Sequence, residues 1–139
     1  KATNKLQGQV TSGANSIAQR ATIAALEAPK SSIQFMIDEF HKRRDLILGL
    51  MAEIPGFKLN VPEGAFYVFP DVSDYFGRTI QGVKIENAND FALFLLDKAN
   101  VATVTGEAFG NNDCIRISYA ASESEIKEAM SRIKAAVLA

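Results

Sequence analysis

Between Cys114 and Tyr119 the chain reads Cys-Ile-Arg-Ile-Ser-Tyr, and this alternation limits the fold more than any other stretch. Successive side chains of a strand point to opposite faces, so Ile115, Ile117 and Tyr119 share one face while Cys114, Arg116 and Ser118 share the other. The first face suits a core covered by helices. The second sets a guanidinium among small side chains, on a face left free to meet something else.

Helical spacing supplies the cover. Asn15 to Ala28 is rich in helix formers, with Ile17, Ala21, Ala24, Ala25 and Ala28 along one face and Pro29 as a stop. Ser31 with Gln34 reads as a capping box for a second, longer helix. Its apolar stripe is Ile33, Met36, Ile37, Phe40, Ile47, Leu48 and Met51, interrupted by the charged run His41 to Asp45 and ended by Pro55-Gly56. A third helix, capped by Asn87 or Asn89, runs to Ala99 with Phe91, Phe94 and Leu95 inward. Ser122 and Glu125 form a capping box for the last, which buries Ile126, Ala129, Met130, Ile133 and Val137.

Strands are expected at Phe57 to Val61 and at Ala65 to Phe69, joined through the turn Pro62-Glu63-Gly64, and again at Val101 to Val104. Asp71 to Asn87, with Gly77 and Gly82 inside it, reads as a mobile connection. The whole predicts an α/β domain of the α+β layered kind: a small, largely antiparallel sheet with helices packed on one face.

At 139 residues the chain is long enough for one domain with its own core, residues 1–139. A formal net charge of −1 leaves no basic surplus for nucleic acid or an anionic membrane. No apolar run reaches membrane-spanning length. The lone Cys114 excludes an internal disulfide and suits a reducing, cytoplasmic compartment. A chain that begins with Lys1 is expected to be an excerpt of a longer protein.

Several residues are candidates for chemistry. Arg116 on a rigid strand has the planar fork that grips two carboxylate oxygens, although a solvent-exposed or ion-paired strand arginine is the commoner role. In Gly64-Ala65-Phe66-Tyr67, Gly64 either supplies a positive φ to a tight turn or lets a ligand approach the backbone beside an aromatic wall. Gly106-Glu107-Ala108-Phe109-Gly110 is either a connector or a loop closing over a ligand, and it lacks the glycine spacing and lysine of a phosphate cradle. His41, the only histidine, has no Cys or second His at metal-ligand spacing, so no metal site is expected. His41 to Asp45 reads as a solvated helix face, and Cys114 as a small packing residue.

Taken in order, KLQGQVTSGANSIAQ (Lys5 to Gln19), RRD (Arg43 to Asp45), IPG (Ile54 to Gly56), PEGAFYVFPDVS (Pro62 to Ser73), VATVTGEAFG (Val101 to Gly110) and CIRISYA (Cys114 to Ala120) resemble the C-terminal region of class I aminotransferases, bacterial aspartate aminotransferases above all. The resemblance implies the small domain of a fold-type I transferase that uses pyridoxal 5'-phosphate, with residues 1–30 as a leading helix near the domain junction. It implies a homodimer, a large domain elsewhere in the same protein, and transfer of an amino group from an amino acid to a 2-oxo acid. It also implies that Arg116 binds the substrate α-carboxylate, with Gly64 and Phe66 beside the substrate. The lysine that holds the cofactor in that family lies in a Ser-Lys motif that this chain does not contain. No catalytic and no cofactor-binding residue is therefore expected here, and the isolated chain is expected to be inactive. The alternatives are a stand-alone ligand-binding or interaction module, or the small domain of another pyridoxal-phosphate enzyme.

Overall fold

Strand β5, Ile115–Ser118, lies in the middle of a three-stranded antiparallel sheet, flanked by β1, Tyr67–Val68, and β4, Val104–Thr105. The computed structural model describes all 139 residues and divides them into two compact units, Lys1–Phe35 and Met36–Ala139.

The first unit is helical. Helices α1, Ala2–Val10, and α2, Ser16–Glu27, bury no residue, and Leu6, Val10, Ile17 and Leu26 all stand exposed. The Asn15 side chain starts α2 by accepting from the amides of Ile17 and Ala18 at 2.9 and 3.3 Å. Sequence spacing misses α1 because its polar residues and Gly8 leave no clean apolar stripe. Ser31, expected to cap the second helix, lies inside a short turn. This is the 3-10 turn Lys30–Ile33, and the Ser32 hydroxyl donates back to the Pro29 carbonyl at 2.7 Å.

In the second unit, three helices cover one face of the sheet. Helix α3, Gln34–Ala52, contributes Ile47 and Met51; α4, Ala88–Ala99, contributes Phe91, Phe94 and Leu95; α5, Glu123–Leu138, contributes Ile126, Met130 and Ile133. All join Val68, Ile115, Ile117 and Tyr119 in a single buried cluster. The two later helices begin as their sequences dictate. Asn87 accepts from the Asp90 amide at 2.9 Å, and Ser122 with Glu125 closes a complete capping box. Asn100, in the left-handed conformation, ends α4.

Further expectations are corrected. The strand expected at Val101 to Val104 forms only at Val104–Thr105. Phe57 to Val61 is not a strand: it meets the rest of the sheet only through a bridge between Lys58 and Asp71. It does not pair with β1, which bonds to β5 along one edge only. Asp71 to Asn87 is not a loose connection either. Val72, Tyr75 and Ile85 are fully buried within it, and β2, Thr79–Ile80, pairs with β3, Val83–Lys84, across a two-residue turn. Gln81 and Gly82 both carry positive φ, 49° and 78°, which suits the strand twist on either side of such a turn. Short strands around Gln-Gly gave too little alternation for the hairpin to be read.

Tyr75 ties this segment to the core. Its ring stacks on Phe91 with centroids 4.5 Å apart, Phe57 stands edge-on to it at 5.9 Å, and its hydroxyl donates to the Pro55 carbonyl. Gly56 must be glycine beneath it: φ is +94°, and a Cβ there would meet the Tyr75 ring at 3.0 Å. Burial raises the phenol from its ordinary value of 10.0 to about 12. A phenol raised in the folded state contributes stability that is complete below pH 10.0 and is lost as pH climbs towards 12. Tyr75→Phe is therefore expected to cost about 1 kcal/mol at neutral pH through the lost hydrogen bond. Urea denaturation at a series of pH values should show this deficit shrink above pH 10.0; a constant difference would refute the account.

Candidate functional site

The side chains of the open sheet face follow from register. Val104 stands opposite Arg116 and Tyr67 opposite Ser118, so these four share the face turned away from the helices. Val68, Ile115 and Ile117 occupy the other face and are buried. The strand alternation thus delivers Arg116 to the uncovered side while its two neighbours anchor the backbone in the core.

Two aromatic rings hold the guanidinium. Its central carbon lies over the Phe109 ring at 4.6 Å from the centroid and over the Tyr67 ring at 5.5 Å. Arg116 forms no ion pair within the chain, while Lys58, Lys84, Lys127 and Arg132 all meet carboxylates. The guanidinium is thus half-covered by rings and has no ion-pair partner of its own. It is neither locked in the interior nor free in open water.

The turn after Pro62 is tied to the same strand end. The Tyr119 amide donates to the Phe66 carbonyl at 2.8 Å and the Tyr119 hydroxyl to the Ala65 carbonyl at 3.0 Å. Arg44 reaches the Pro62 carbonyl at 3.5 Å, so the charged run from His41 to Asp45 is not wholly solvated: Arg43 and Arg44 are half-buried, and Arg43 sits over Phe40. The positive φ of the turn belongs to Ala65, at 64°, and not to Gly64. Nothing lies within 4 Å of a Cβ built on Gly64, so its backbone is open to approach. Phe66 is 53 % exposed, and its ring meets Tyr67 edge-on at 5.9 Å. The ring that touches the guanidinium from this segment is Tyr67. Sequence reasoning named the segment that contains Tyr67 but singled out Phe66; the register opposite Ser118 that sets Tyr67 apart is visible only in the structure.

The Gly106 to Gly110 loop is an anchored turn. Its backbone forms a 3-10 turn over Glu107–Phe109, and the Gly106 amide donates to the Cys114 carbonyl at 2.8 Å. A Cβ on Gly106 would stand 2.2 Å from the Asn111 carbonyl oxygen and 2.6 Å from that of Cys114. Cys114 itself is buried, and burial pushes its thiol above the ordinary value, which keeps it protonated and unreactive. No group of three or more His, Cys, Asp or Glu side chains is placed to hold a metal ion. No helix is long and apolar enough to cross a membrane.

Residues 1–133 match the family described as aminotransferase class I and II, and the chain belongs to that family. It is 47 % identical over 141 aligned residues to the bifunctional aspartate aminotransferase and glutamate/aspartate-prephenate aminotransferase of Petunia hybrida, covering 99 % of this chain and 29 % of that one. The aspartate aminotransferase of Rhizobium meliloti strain 1021 is 44 % identical over 98 % of this chain and 33 % of its own length. Among solved structures, the Rhizobium meliloti aspartate aminotransferase superimposes with a TM-score of 0.88 at 42 % identity, over 95 % of this chain and 33 % of that one. The aromatic aminotransferase of Pyrococcus horikoshii OT3 gives 0.77 at 30 % identity, over 94 % and 34 %. The chain therefore spans about a third of the length of the relatives it matches.

Aminotransferases of this family ordinarily use pyridoxal phosphate, and the lysines of Met36–Ala139 do not fit a holder of it. A lysine that captures a carbonyl must offer a neutral amine. In Met36–Ala139 every lysine faces a surface carboxylate, at 2.8 Å for Lys58 with Asp74 and 2.6 Å for Lys84 with Glu86. Hydrogen bonds to those carboxylates push both ammonium groups above their usual range, the opposite of what the chemistry needs. Lys1, Lys5 and Lys30 are exposed.

The two glycines of the site separate in a stability measurement. Gly106→Ala is expected to cost at least the upper end of the roughly 1–3 kcal/mol typical of overpacking, because both clashes are with backbone. Gly64→Ala should change stability by less than about 0.5 kcal/mol. Thermal unfolding of both variants checks this, and equal effects would contradict the packing described.

Proposed function

We propose that the whole protein is a pyridoxal-phosphate-dependent transaminase of the aspartate aminotransferase type, and that these 139 residues are its C-terminal small domain, supplying the arginine that binds the substrate α-carboxylate. The cofactor and the lysine that holds it belong to the part of the polypeptide outside this chain. The reaction moves an amino group from an amino acid to a 2-oxo acid, and the names of the relatives support an aspartate-type donor. The working form is proposed to be a cytoplasmic homodimer in which this domain packs against the large domain.

One observation carries the reading: Arg116 stands on the open sheet face between two rings with no carboxylate of its own. Both partners of the reaction, an amino acid and a 2-oxo acid, carry a carboxylate next to the reacting carbon. A planar guanidinium can bind both oxygens of that group and so fix rotation as well as position. Fixing the α-carbon from one side is what a transfer at its C–N bond requires from a residue that takes no part in proton movement. Gly64 and Phe66 are proposed to lie beside the bound substrate, with the open backbone at Gly64 admitting it closely.

In the full-length enzyme, Arg116→Ala is expected to lower kcat/KM for aspartate by about 2–5 kcal/mol of lost pairing. Arg116→Lys should recover only part of this, since an ammonium lacks the fork. Steady-state kinetics decide, and near-wild-type efficiency in Arg116→Ala would refute the assignment. The isolated 139-residue chain is expected to show no transaminase activity and no borohydride-stable attachment of added pyridoxal phosphate to any defined lysine. Stoichiometric labelling of one lysine, located by peptide mass mapping, would overturn that expectation.

A further inference from the structure

The Phe109 ring is not explained by the core. It is 48 % exposed, takes no part in the buried cluster, and stands on a turn between two glycines. An exposed phenylalanine has no packing reason to be held still. Yet its position is fixed from three sides. The Phe109 amide donates to the Gly106 carbonyl at 2.8 Å, closing the turn. The Gly106 amide hangs that turn on Cys114, two residues before Arg116 on the same stretch of chain. Behind it, Phe69 meets the Phe109 ring edge-on at 6.1 Å and presses its ring tip against Gly106.

What the fixed ring faces is the guanidinium of Arg116, at 4.6 Å, the shortest of the four cation–ring distances in the molecule. Tyr67 approaches the same group from β1, which is itself bonded to β5. Both rings thus ride on the strand that carries the arginine. Ring faces carry negative charge density and attract the cation without using any of its N–H donors. An acidic neighbour would have occupied those donors and competed with an incoming ligand. The rings also displace water from the faces of the guanidinium, so a carboxylate at its edge meets a cation already oriented and partly desolvated.

We propose that Phe109 is a positioning residue for Arg116: its ring preorders the guanidinium for a carboxylate-bearing ligand by a cation–π contact that leaves the hydrogen-bonding fork free. The proposal rests on the reading of Arg116 as the carboxylate receptor. A ring acting this way strengthens binding of the carboxylate equally throughout the reaction, so its removal raises KM and spares kcat.

The test uses the full-length enzyme and its cofactor, with Phe109→Leu, Phe109→Tyr, Phe109→Trp and Arg116→Ala compared for kcat, KM for aspartate and thermal midpoint. Leucine keeps the apolar bulk and removes the π face. Phe109→Leu is expected to raise KM roughly tenfold, as a partly desolvated cation–π contact implies, with kcat within about twofold of wild type and little change in midpoint. Phe109→Tyr and Phe109→Trp are expected to keep KM within about threefold of wild type, because each restores a ring face. An unchanged KM in Phe109→Leu, or a Phe109→Trp enzyme as impaired as the leucine variant, would overturn the proposal. So would a loss of kcat at constant KM. Arg116→Ala separates the two levels. If it raises KM strongly while Phe109→Leu does not, the ring has no positioning role and the receptor reading survives. If Arg116→Ala leaves KM unchanged, the receptor reading itself fails.

Discussion

A four-residue strand bonded on both edges governs this molecule. Because β5 pairs with β1 on one side and β4 on the other, it cannot rotate about its own axis, and its alternation becomes a fixed division of labour. Ile115 and Ile117 go into the core among α3, α4 and α5, and Arg116 goes to the opposite face. A one-residue slip would exchange these roles, burying a guanidinium and exposing two isoleucines, so the buried face holds the register in place. The position of the candidate receptor is in this sense a consequence of the core.

The same strand gathers the rest of the site from distant parts of the chain. Tyr119, one residue past β5, fixes the Ala65–Phe66 turn through two hydrogen bonds, and the Cys114 carbonyl, one residue before it, fixes the turn that carries Phe109. Tyr67 and Phe109 lie far apart in sequence and reach one guanidinium because each is attached to one end of β5. This economy explains why the Gly106 position tolerates no side chain: the turn is drawn against the backbone of the strand it serves.

Much of this was legible in the sequence, and the residues show why. Long amphipathic helices with side-chain caps, α4 at Asn87 and α5 at Ser122–Glu125, announce themselves through local chemistry. The β5 alternation and the outward course of Arg116 were readable for the same reason. Features that depend on distant partners were not. Phe57 to Val61 has the pattern of a strand but is held only by the Lys58–Asp71 bridge, a long-range pairing that no local spacing records. Asp71 to Asn87 looked loose because its buried residues, Val72, Tyr75 and Ile85, are too widely spaced to form a period. The positive φ fell on Ala65 although Gly64 was the residue suited to it. Tyr67 and Phe109 were both within the motifs singled out, yet their common contact is a product of register and of a tight turn.

Membership of the aminotransferase class I and II family gives the geometry its context, since the relatives are about three times as long as this chain. The central claim is that the ring-bounded cation on the open face awaits an anionic ligand. A crystal structure of the full-length protein with a substrate amino acid bound tests it most directly. The account predicts both carboxylate oxygens at charge-assisted hydrogen-bond distance, about 2.7–2.9 Å, from two nitrogens of Arg116, with Phe109 still against the guanidinium. An Arg116 paired instead with an Asp or Glu from the remainder of the polypeptide, and a substrate carboxylate held elsewhere, would contradict it.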